Sequence, residues 1–224
     1  MANQPYGMMS EDIWRIFRIM AEFIDGFETL SRVGPCVTIF GSARTPEDHP
    51  HYKLTVEVAR AVAREGFGVI SGGGPGIMEA ANRGASEVEG AESIGLNIQL
   101  PFEQIANPYI KTMLSFRHFF VRKVMFLKYT SAVIIMPGGY GTLDELFETL
   151  TLIQTEKAVK MPLILMGKEF WQDMLVWLDE TMQKKHGYIC PIDIERLNLT
   201  DDPAEAVSII KKHVCLKNTA PNFA

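Results

Sequence analysis

The chain has 224 residues, 47% of them hydrophobic and 22% charged, with a formal net charge of −5 at pH 7. This composition predicts one globular domain with a sizeable core. The negative balance excludes a nucleic-acid polymer as the main partner, because proteins that bind one carry a basic surface. A small anion held in a local pocket is compatible with it.

Cysteines and the N-terminal region exclude several other classes. Cys36, Cys190 and Cys215 are far apart and belong to no Cys-x-x-Cys or Cys/His cluster, so neither a disulfide framework nor a metal site is expected. The apolar segment at residues 13–30 is interrupted by five charged side chains, which argues against a signal peptide or a membrane span. We therefore expect a protein of the reducing cytoplasm without a membrane partner.

Short β-branched apolar runs alternate along the chain with longer runs of helical spacing. This alternation predicts an α/β fold, a Rossmann-like, doubly wound parallel sheet with helices on both faces. The predicted strands are residues 36–40, 68–71, 93–99, 132–136 and 163–166, with a short edge strand at 197–199. The predicted helices are residues 11–31, 52–65, 77–89, 116–129, 143–157, 170–185 and 203–213.

The predicted domain organisation is simple. Residues 1–33 form an N-terminal helical extension, residues 34–216 a single Rossmann-like domain that binds a nucleotide, and residues 217–224 a loosely ordered tail. Apolar residues of the first helix cover more than one narrow stripe, so this helix should bury two sides. The second side packs either on its own subunit or in an oligomer interface, and both interpretations remain open.

A glycine-rich turn follows the apolar run at 132–136 and precedes a helix. Here Gly138, Gly139 and Gly141 are expected to adopt positive φ and to bring backbone N–H groups close to an anion, at the positive end of a helix that begins near Thr142. Glu145 places a carboxylate beside this site. A structural alternative is a capping box, in which Thr142 and Glu145 satisfy each other's backbone N–H groups.

Three other segments are expected at the same edge of the sheet, since ligands bind beyond the carboxyl ends of parallel strands. They are the turn at residues 41–44, the turn at residues 71–78, and the helix that carries Arg117, Arg122 and Lys123. The glycines of the second turn also permit close packing of a helix on a strand. Taken by itself, Arg122 could also lie on a solvated helix face. Glu79 could also be an ordinary acidic residue in the first turn of a helix, where it favours the helix dipole.

Neither glycine cluster has the spacing of a dinucleotide fingerprint, and no Gly-x-x-x-x-Gly-Lys-Ser/Thr sequence occurs. NAD and nucleoside triphosphates are therefore disfavoured as ligands. A monophosphate fits the turns better.

The segment at 137–145 resembles the Pro-Gly-Gly-x-Gly-Thr-x-x-Glu signature of the LOG-type (LONELY GUY) phosphoribohydrolases, with every position matched. Met113 with Arg122-Lys123 is similar to the second motif of that family, and Gly41-Ser42 with the turn at 71–74 resembles its first two turns. The resemblance covers residues 37–207. The added N-terminal helix indicates the longer subgroup.

The resemblance implies an enzyme that hydrolyses the N-glycosidic bond of nucleoside 5′-monophosphates, such as cytokinin nucleotides or AMP, to free base and ribose 5-phosphate. Glu145 and Arg122 would be the catalytic pair. No cofactor is implied: the lysine decarboxylase label often given to such proteins would need pyridoxal phosphate on a lysine, and only Lys123 is near the site. The implied substrate-binding residues are Gly138, Gly139, Tyr140, Gly141, Thr142, Ser42, Gly72, Gly73, Gly74, Glu79 and Lys123.

The chemistry suits these residue types. Cleavage of an N-glycoside builds positive charge on the ribose, so a carboxylate beside the sugar stabilises the transition state and activates the attacking water. An arginine can orient that carboxylate or the ribose hydroxyls. Arg117 and His118 are candidates for contacts with the phosphate or base. The aromatic residues Phe116, Phe119 and Phe120 belong either to a wall around the base or to the core.

Two rival functions remain. One is a carrier of a nucleotide or of a molybdenum-type pterin cofactor that binds its ligand without hydrolysis, and the other is a broader purine or pyrimidine monophosphate nucleosidase. The resemblance also implies a homodimer as the minimum assembly, and the added helix allows a hexamer.

Overall fold

A computed structural model describes residues 6–100 and 105–215. Its strands are β1 (Cys36–Phe40), β2 (Gly68–Ser71), β3 (Ser93–Ile98), β4 (Thr112–Phe116), β5 (Thr130–Ile135), β6 (Leu163–Leu165) and β7 (Leu197–Leu199). All pair in parallel in one sheet, in the order β4-β3-β2-β1-β5-β6-β7. The α/β Rossmann-like fold predicted from the sequence is confirmed.

Helices cover both faces of this sheet. They are α1 (Tyr6–Leu30), α2 (Pro50–Arg64), α3 (Ile77–Ser86), α4 (Phe119–Lys128), α5 (Tyr140–Gln154), α6 (Lys168–Trp177), α7 (Pro191–Glu195) and α8 (Pro203–Cys215), and α6 continues as a π-helix over Leu178–Lys185. No helix within the described ranges has both the length and the apolar character needed to cross a membrane.

The sheet separates two hydrophobic cores. One lies under α1, α4, α5 and α6 and contains Leu30, Phe126 and Trp171. The other lies under α2, α3 and α8 and contains Val62 and Ile210. The strands β1, β2, β3 and β6 are buried at every position, as expected for parallel strands whose two faces are both covered.

The chain reverses direction across the sheet between β1 and β5. From β1 it proceeds outward through β2 and β3 to β4, and it then returns to add β5, β6 and β7 on the other side of β1. The connections that leave β1 and β5 therefore diverge to opposite faces, and the crevice between them is the place where open α/β sheets bind ligands.

Two elements were not predicted, and two helices begin about a turn or more earlier than expected, namely α5 and α1, which begins at Tyr6 rather than at residue 11. The edge strand β4 alternates between partly buried and exposed positions, and its pairing with β3 from Ile94↔Thr112 to Ile98↔Phe116 defines it. The five-residue helix α7 is too short to show a period. Helix α5 begins at Tyr140, a full turn before the predicted start at residue 143. The domain division stays a prediction, and its tail at 217–224 lies outside the described residues.

Candidate active site

A cavity of about 700 Å³ opens at the crevice between the turns that follow β1 and β5. Its size is within the usual range for small-molecule sites. Predicted site residues from four segments meet there, namely Ser42, Gly72, Arg122, Gly139, Tyr140, Gly141, Thr142 and Glu145. The other lining residues are Phe40, Gly41, Ala43, Arg44, Met78, Ile98, Leu100, Phe119, Phe126 and Leu143.

The turn before α5 has room for an anion, although its geometry differs from the prediction. The glycines of this turn, Gly138, Gly139 and Gly141, all lack positive φ, so that expectation is wrong. A Cβ on Gly139 or Gly141 would meet no atom within 4 Å, and both residues line the cavity. At Gly138 a Cβ would collide with the side chain of Thr142. The first glycine thus permits close packing, and the other two leave open space.

Helix α5 presents its amides to this space. Gly139 is its N-cap, and the Gly139 carbonyl accepts hydrogen bonds from the N–H groups of Thr142 and Leu143, both at 3.0 Å. The N–H groups of Tyr140 and Gly141, in the first turn, have no intrahelical acceptor. Free amides and the positive end of the helix dipole together favour a phosphate.

The capping-box interpretation of Thr142 and Glu145 is wrong. Helix α5 begins before Thr142, its N-cap is Gly139, and no side chain caps it. Thr142 is only 6% exposed and Glu145 5%, because both face inward from the first turns of the helix. The Glu145 carboxylate therefore has no capping role and belongs to the cavity wall.

The Glu145 carboxylate is buried and incompletely hydrogen-bonded. Its Oε2 atom has no hydrogen-bond partner among the described residues. Burial raises the pKa of Glu145 to about 7, and the negative charges of Glu148 and Asp144 add to this rise, whereas the positive charges of Lys123 and Arg122 oppose it. A carboxyl group that titrates near neutral pH, in a cleft, has the properties of a general base.

Arg122 lies inside the molecule rather than on a solvated helix face. Its guanidinium stacks against the rings of Phe119 and Phe126, 5.0 and 5.4 Å from their centroids, and it lines the cavity. Within the described part of the chain its Nε has no hydrogen-bond partner. Burial lowers the pKa of Arg122, and the charges of Glu145 and Asp144 counteract this. A buried donor without a partner, beside a carboxylate, is available to a ligand.

Lys123 points away from the cavity. Its Nζ atom forms ion pairs with Asp144 at 2.7 Å and Glu148 at 2.6 Å. Burial lowers the pKa of Lys123, but these two hydrogen bonds outweigh burial, and the pKa is raised overall. The geometry assigns Lys123 a structural contact between α4 and α5, and its predicted role in substrate binding stays a prediction.

The turn after β2 is held by a buried polar network that the sequence did not reveal. Asn107 donates its backbone N–H to the carbonyl of Gly73 and its Nδ2 to the carbonyl of Gly74. It also binds the side chain of Asn82, which in turn accepts a hydrogen bond from Ser71. Of the three predicted glycines of this turn, Gly72 alone lines the cavity. An Asn in a helix and another in a distant loop give no local sign of this pairing.

Ser42 joins the turns around the cavity. Its N–H donates to the carbonyl of Pro137 at 3.1 Å, and its carbonyl accepts from the N–H of Ile77 at 3.0 Å. Because the N–H of Ser42 is already bonded to Pro137, Ser42 offers a ligand its side chain rather than its backbone N–H. The close approach of residues 42 and 43 to Gly76, which has φ of +69°, explains why the second turn needs a glycine at that position.

Glu79 lies outside the cavity lining. It accepts a hydrogen bond from the hydroxyl group of Tyr52 at 2.9 Å. Burial raises the pKa of Tyr52 to about 12, with Arg83 lowering it and Glu79 raising it further. Glu79 therefore supports the packing of α3 on α2, and its predicted substrate contact stays a prediction.

Arg44 was not among the predicted site residues. With Arg122, it supplies the cationic side chains among the residues that line the cavity. It belongs to the turn after β1, and its backbone N–H donates to Oγ of Ser42 at 3.1 Å. The turn at residues 41–44 was predicted at this edge of the sheet, but an exposed arginine there resembles any surface residue in the sequence, so only the fold shows that Arg44 itself lines the cavity.

The aromatic residues separate into different roles. Phe119 lines the cavity with Phe126, whereas Phe116 is buried at the end of β4 and Phe120 is half-exposed outside the lining. Met78, Ile98 and Leu100 complete an apolar wall. Such a wall suits the face of a planar base.

The fold and the cavity define a class of Rossmann-like proteins with a glycine-rich turn at the cavity and a carboxylate on the following helix. A family model described as "Possible lysine decarboxylase" matches residues 78–210. This match covers more than half of the chain, so the protein belongs to that family, which includes the LOG proteins, and the resemblance predicted from the sequence is confirmed.

Curated relatives agree with this assignment, and solved structures share the fold. A cytokinin riboside 5′-monophosphate phosphoribohydrolase of Mycobacterium tuberculosis is 26% identical over 74% of this chain and 88% of its own length. The X-ray structure of TM1055 is similar with a TM-score of 0.60 and 24% identity, over 80% of this chain and 99% of that one. The molybdenum cofactor binding protein of Rippkaea orientalis has a TM-score of 0.60 and 20% identity, over 82% and 99%. The relatives named as phosphoribohydrolases confirm the prediction of an enzyme.

The raised pKa of Glu145 makes the stability of the protein pH-dependent. Between the ordinary pKa of 4.5 and about 7, the folded protein binds more protons at Glu145 than the unfolded chain does, so the free energy of unfolding falls as pH rises. The full loss amounts to about 3 kcal/mol. We expect this loss in the parent protein and its absence in Glu145→Gln, measured by urea unfolding at about pH 5 and pH 8. A stability difference between the two proteins that is the same at both pH values would contradict the buried, partnerless carboxylate.

Proposed function

We propose that this protein hydrolyses the N-glycosidic bond of nucleoside 5′-monophosphates and releases the free base and ribose 5-phosphate. The observation that carries the proposal is the position of the buried Glu145 carboxylate on the same helix as the free amides of the anion-binding turn. Glu145 follows Gly141 by four residues, about 6 Å along the helix axis. This span is comparable with that from a 5′-phosphate to the anomeric carbon of the same nucleotide.

The proposed substrate position follows from this spacing. The 5′-phosphate binds at the amides of Tyr140 and Gly141, and the ribose then lies against Glu145. The base extends toward the apolar wall around Phe119. The name of the M. tuberculosis relative, which specifies a cytokinin riboside 5′-monophosphate, supports a nucleotide of this size.

In this position the N-glycosidic bond is hydrolysed with the help of Glu145 and Arg122. The bond between C1′ and the base nitrogen breaks with its electron pair going to the base, and the ribose develops oxocarbenium character that the Glu145 carboxylate stabilises. A water molecule attacks C1′ and gives its proton to Glu145, and the departing base takes up a proton. Arg122 holds Glu145 or the ribose hydroxyls in orientation, since its Nε donor has no hydrogen-bond partner among the described residues.

Replacement of the carboxylate tests the reaction directly. We expect Glu145→Gln to lower the turnover number by a factor of about 10² to 10⁴, because the amide keeps the shape but can neither take a proton nor carry the charge. The assay follows free base and ribose 5-phosphate from AMP and from N6-isopentenyladenosine 5′-monophosphate. For the parent protein, kcat/KM should rise with pH through about 7, as Glu145 ionises in the free enzyme.

The outcomes of this assay separate the rival functions. Equal rates for the parent and Glu145→Gln would contradict the mechanism. Nucleotide binding without release of base would favour a carrier, whose support is the fold similarity to the molybdenum cofactor binding protein. Comparable rates on purine and pyrimidine monophosphates would indicate the broader nucleosidase, and a strong preference for the N6-substituted adenine would indicate a cytokinin-producing enzyme.

Arg44 is proposed as the counter-ion of the phosphate. A phosphate group carries close to two negative charges at neutral pH, and the first turn of α5 contributes amides but no basic side chain. Arg122 is adjacent to the charge of Glu145, and Lys123 is held by Asp144 and Glu148. Arg44 is the remaining cation of the lining.

Removal of this charge should weaken nucleotide binding rather than catalysis. We expect Arg44→Ala to raise KM for AMP about tenfold, the value of one charge-assisted hydrogen bond, with kcat changed less than about twofold. Arg64→Ala, in the last turn of α2, is the matched control and should leave both constants unchanged. An unchanged KM in Arg44→Ala would show that the helix end binds the phosphate without this residue.

A homodimer is the proposed minimum assembly, and its support is the exposed apolar surface of α1. Trp14 is 64% exposed and Ile24 58%, and Ile13, Ile16, Phe17 and Met20 are about half-exposed. Monomeric proteins rarely leave so large an apolar strip in contact with water. A hexamer is the larger alternative.

Light scattering after size-exclusion chromatography tests the assembly. The parent protein should have at least twice the mass of the chain, which is 25.1 kDa, and Phe17→Glu should lower that mass, since a charge on the strip opposes its burial. Arg18→Glu, also exposed on α1, is the control for the added charge. A monomeric parent protein would contradict the proposal.

The compartment is proposed to be the cytoplasm, in agreement with the free thiols of Cys36 and Cys190.

A further inference from the structure

The N-terminal helix α1 contacts α4, the helix that carries Arg122. The contact lies at the N-terminal end of α4. The Glu22 carboxylate accepts the backbone N–H of Arg117 at 3.2 Å through Oε1 and that of His118 at 3.3 Å through Oε2. Oε1 also lies 3.1 Å from Nδ1 of the His118 ring. The Glu22 side chain is 13% exposed, so these contacts are largely shielded from water.

These bonds cap α4 from a distant part of the chain. His118 is the N-cap residue of α4, and no side chain at that position binds the free amides of the helix. A carboxylate is the preferred group at a helix N-terminus, because it accepts hydrogen bonds from free N–H groups and opposes the positive end of the dipole. Glu22, more than ninety residues earlier in the sequence, binds the amides of Arg117 and His118, which lead into α4, and places its charge at the N-terminus of the helix.

The capped turn is the one that forms the cavity wall. Phe119 follows His118 directly and lines the cavity, and the N–H of Arg122 donates to the carbonyl of His118 at 3.3 Å. The N–H of Arg122 therefore closes the first hydrogen-bonded turn of α4, and that turn starts at His118, the residue that Glu22 binds. A displacement of that residue would move the Arg122 guanidinium relative to Glu145.

The contact between α1 and α4 continues beyond Glu22. Gly26, one turn later on the same face of α1, lies so close to Met125 that a Cβ would approach its Sδ and Cε to 2.8 Å. The carbonyl of Phe27 accepts a hydrogen bond from the hydroxyl group of Tyr129 at 3.4 Å. Contacts thus run from the beginning of α4 to its end, and α1 fixes the helix along its length.

We propose that Glu22 is a positioning residue for the hydrolysis, which acts through α4 to hold Arg122 against Glu145 without touching the substrate. The inference rests on the proposed function. It gives the N-terminal helix a part in the active site that is separate from any part in assembly.

Kinetics of matched variants test the positioning role. Glu22→Ala should lower kcat about tenfold to a hundredfold, because small displacements of a catalytic group have effects of this size. KM should change less than about twofold, since the phosphate site on α5 is untouched. Glu22→Gln should restore most of the activity, because its amide oxygen accepts the same two N–H groups. Glu28→Ala is the control, for Glu28 is exposed on α1 and pairs with Arg32 in the turn that follows this helix.

A second measurement tests the positioning role of Glu22 without depending on catalytic activity. A ¹³C NMR titration of the Glu145 carboxyl group should give a higher pKa in Glu22→Ala than in the parent, by about one unit, since the opposing charge of Arg122 moves away. The other charged groups that influence Glu145, namely Lys123, Asp144 and Glu148, are common to all the variants. Glu22→Gln and Glu28→Ala should titrate like the parent. A loss of thermal stability alone would not produce this pattern.

The two measurements separate this inference from the proposed function. If the parent protein releases no base, the proposed function is wrong, and the titration alone decides whether Glu22 positions Arg122. If Glu22→Ala retains both the parent kcat and the parent pKa of Glu145, the positioning role is overturned. A lower Tm with unchanged kcat and pKa would likewise reduce Glu22 to a helix cap.

Discussion

The burial of one carboxyl group without a full set of hydrogen bonds is the constraint around which this site is arranged. Leaving Glu145 in this state costs stability at neutral pH, because its charged form loses hydration that no protein donor replaces at Oε2. Lys123 and Arg122 reduce that cost without forming a direct bond to the carboxylate oxygen. A fold retains such a group where its reactivity is used, and the open face of Glu145 is toward the cavity.

The topology of the sheet places this carboxylate beside the free amides at the start of α5. Because the chain changes direction between β1 and β5, the turns after these strands separate and leave a crevice, and α5 begins at its edge. The helix thus supplies free amides at its first turn and Glu145 little more than one turn later. A rigid helix fixes their separation, so the proposed phosphate site and the proposed catalytic carboxylate are held at a set distance by a single element. Helix α1 then holds α4 in place on the opposite side of the cavity.

Much of this could be predicted from the sequence, because buried parallel strands and glycine-rich turns have local signatures. The fold class and the cavity-lining turn follow from such patterns, whereas the pairing of Arg122 with Glu145 was implied by the family resemblance alone, since the sequence pattern left a solvated helix face open for Arg122. The start of α5 was misplaced because Thr142 and Glu145 have the spacing of a capping box, and only packing shows that both are buried. Non-local contacts were not predictable: Asn82 with Asn107 and Glu22 with His118 join residues far apart in the chain, and Arg44 enters the site through the path of a turn.

A crystal structure of Glu145→Gln with uncleaved nucleoside 5′-monophosphate would test the central claim most directly. The account predicts the phosphate on the N–H groups of Tyr140 and Gly141, the anomeric carbon facing the side chain at position 145, and the base against Phe119. A phosphate bound elsewhere, or the base rather than the ribose beside position 145, would contradict the proposed coupling of the anion site to the carboxylate.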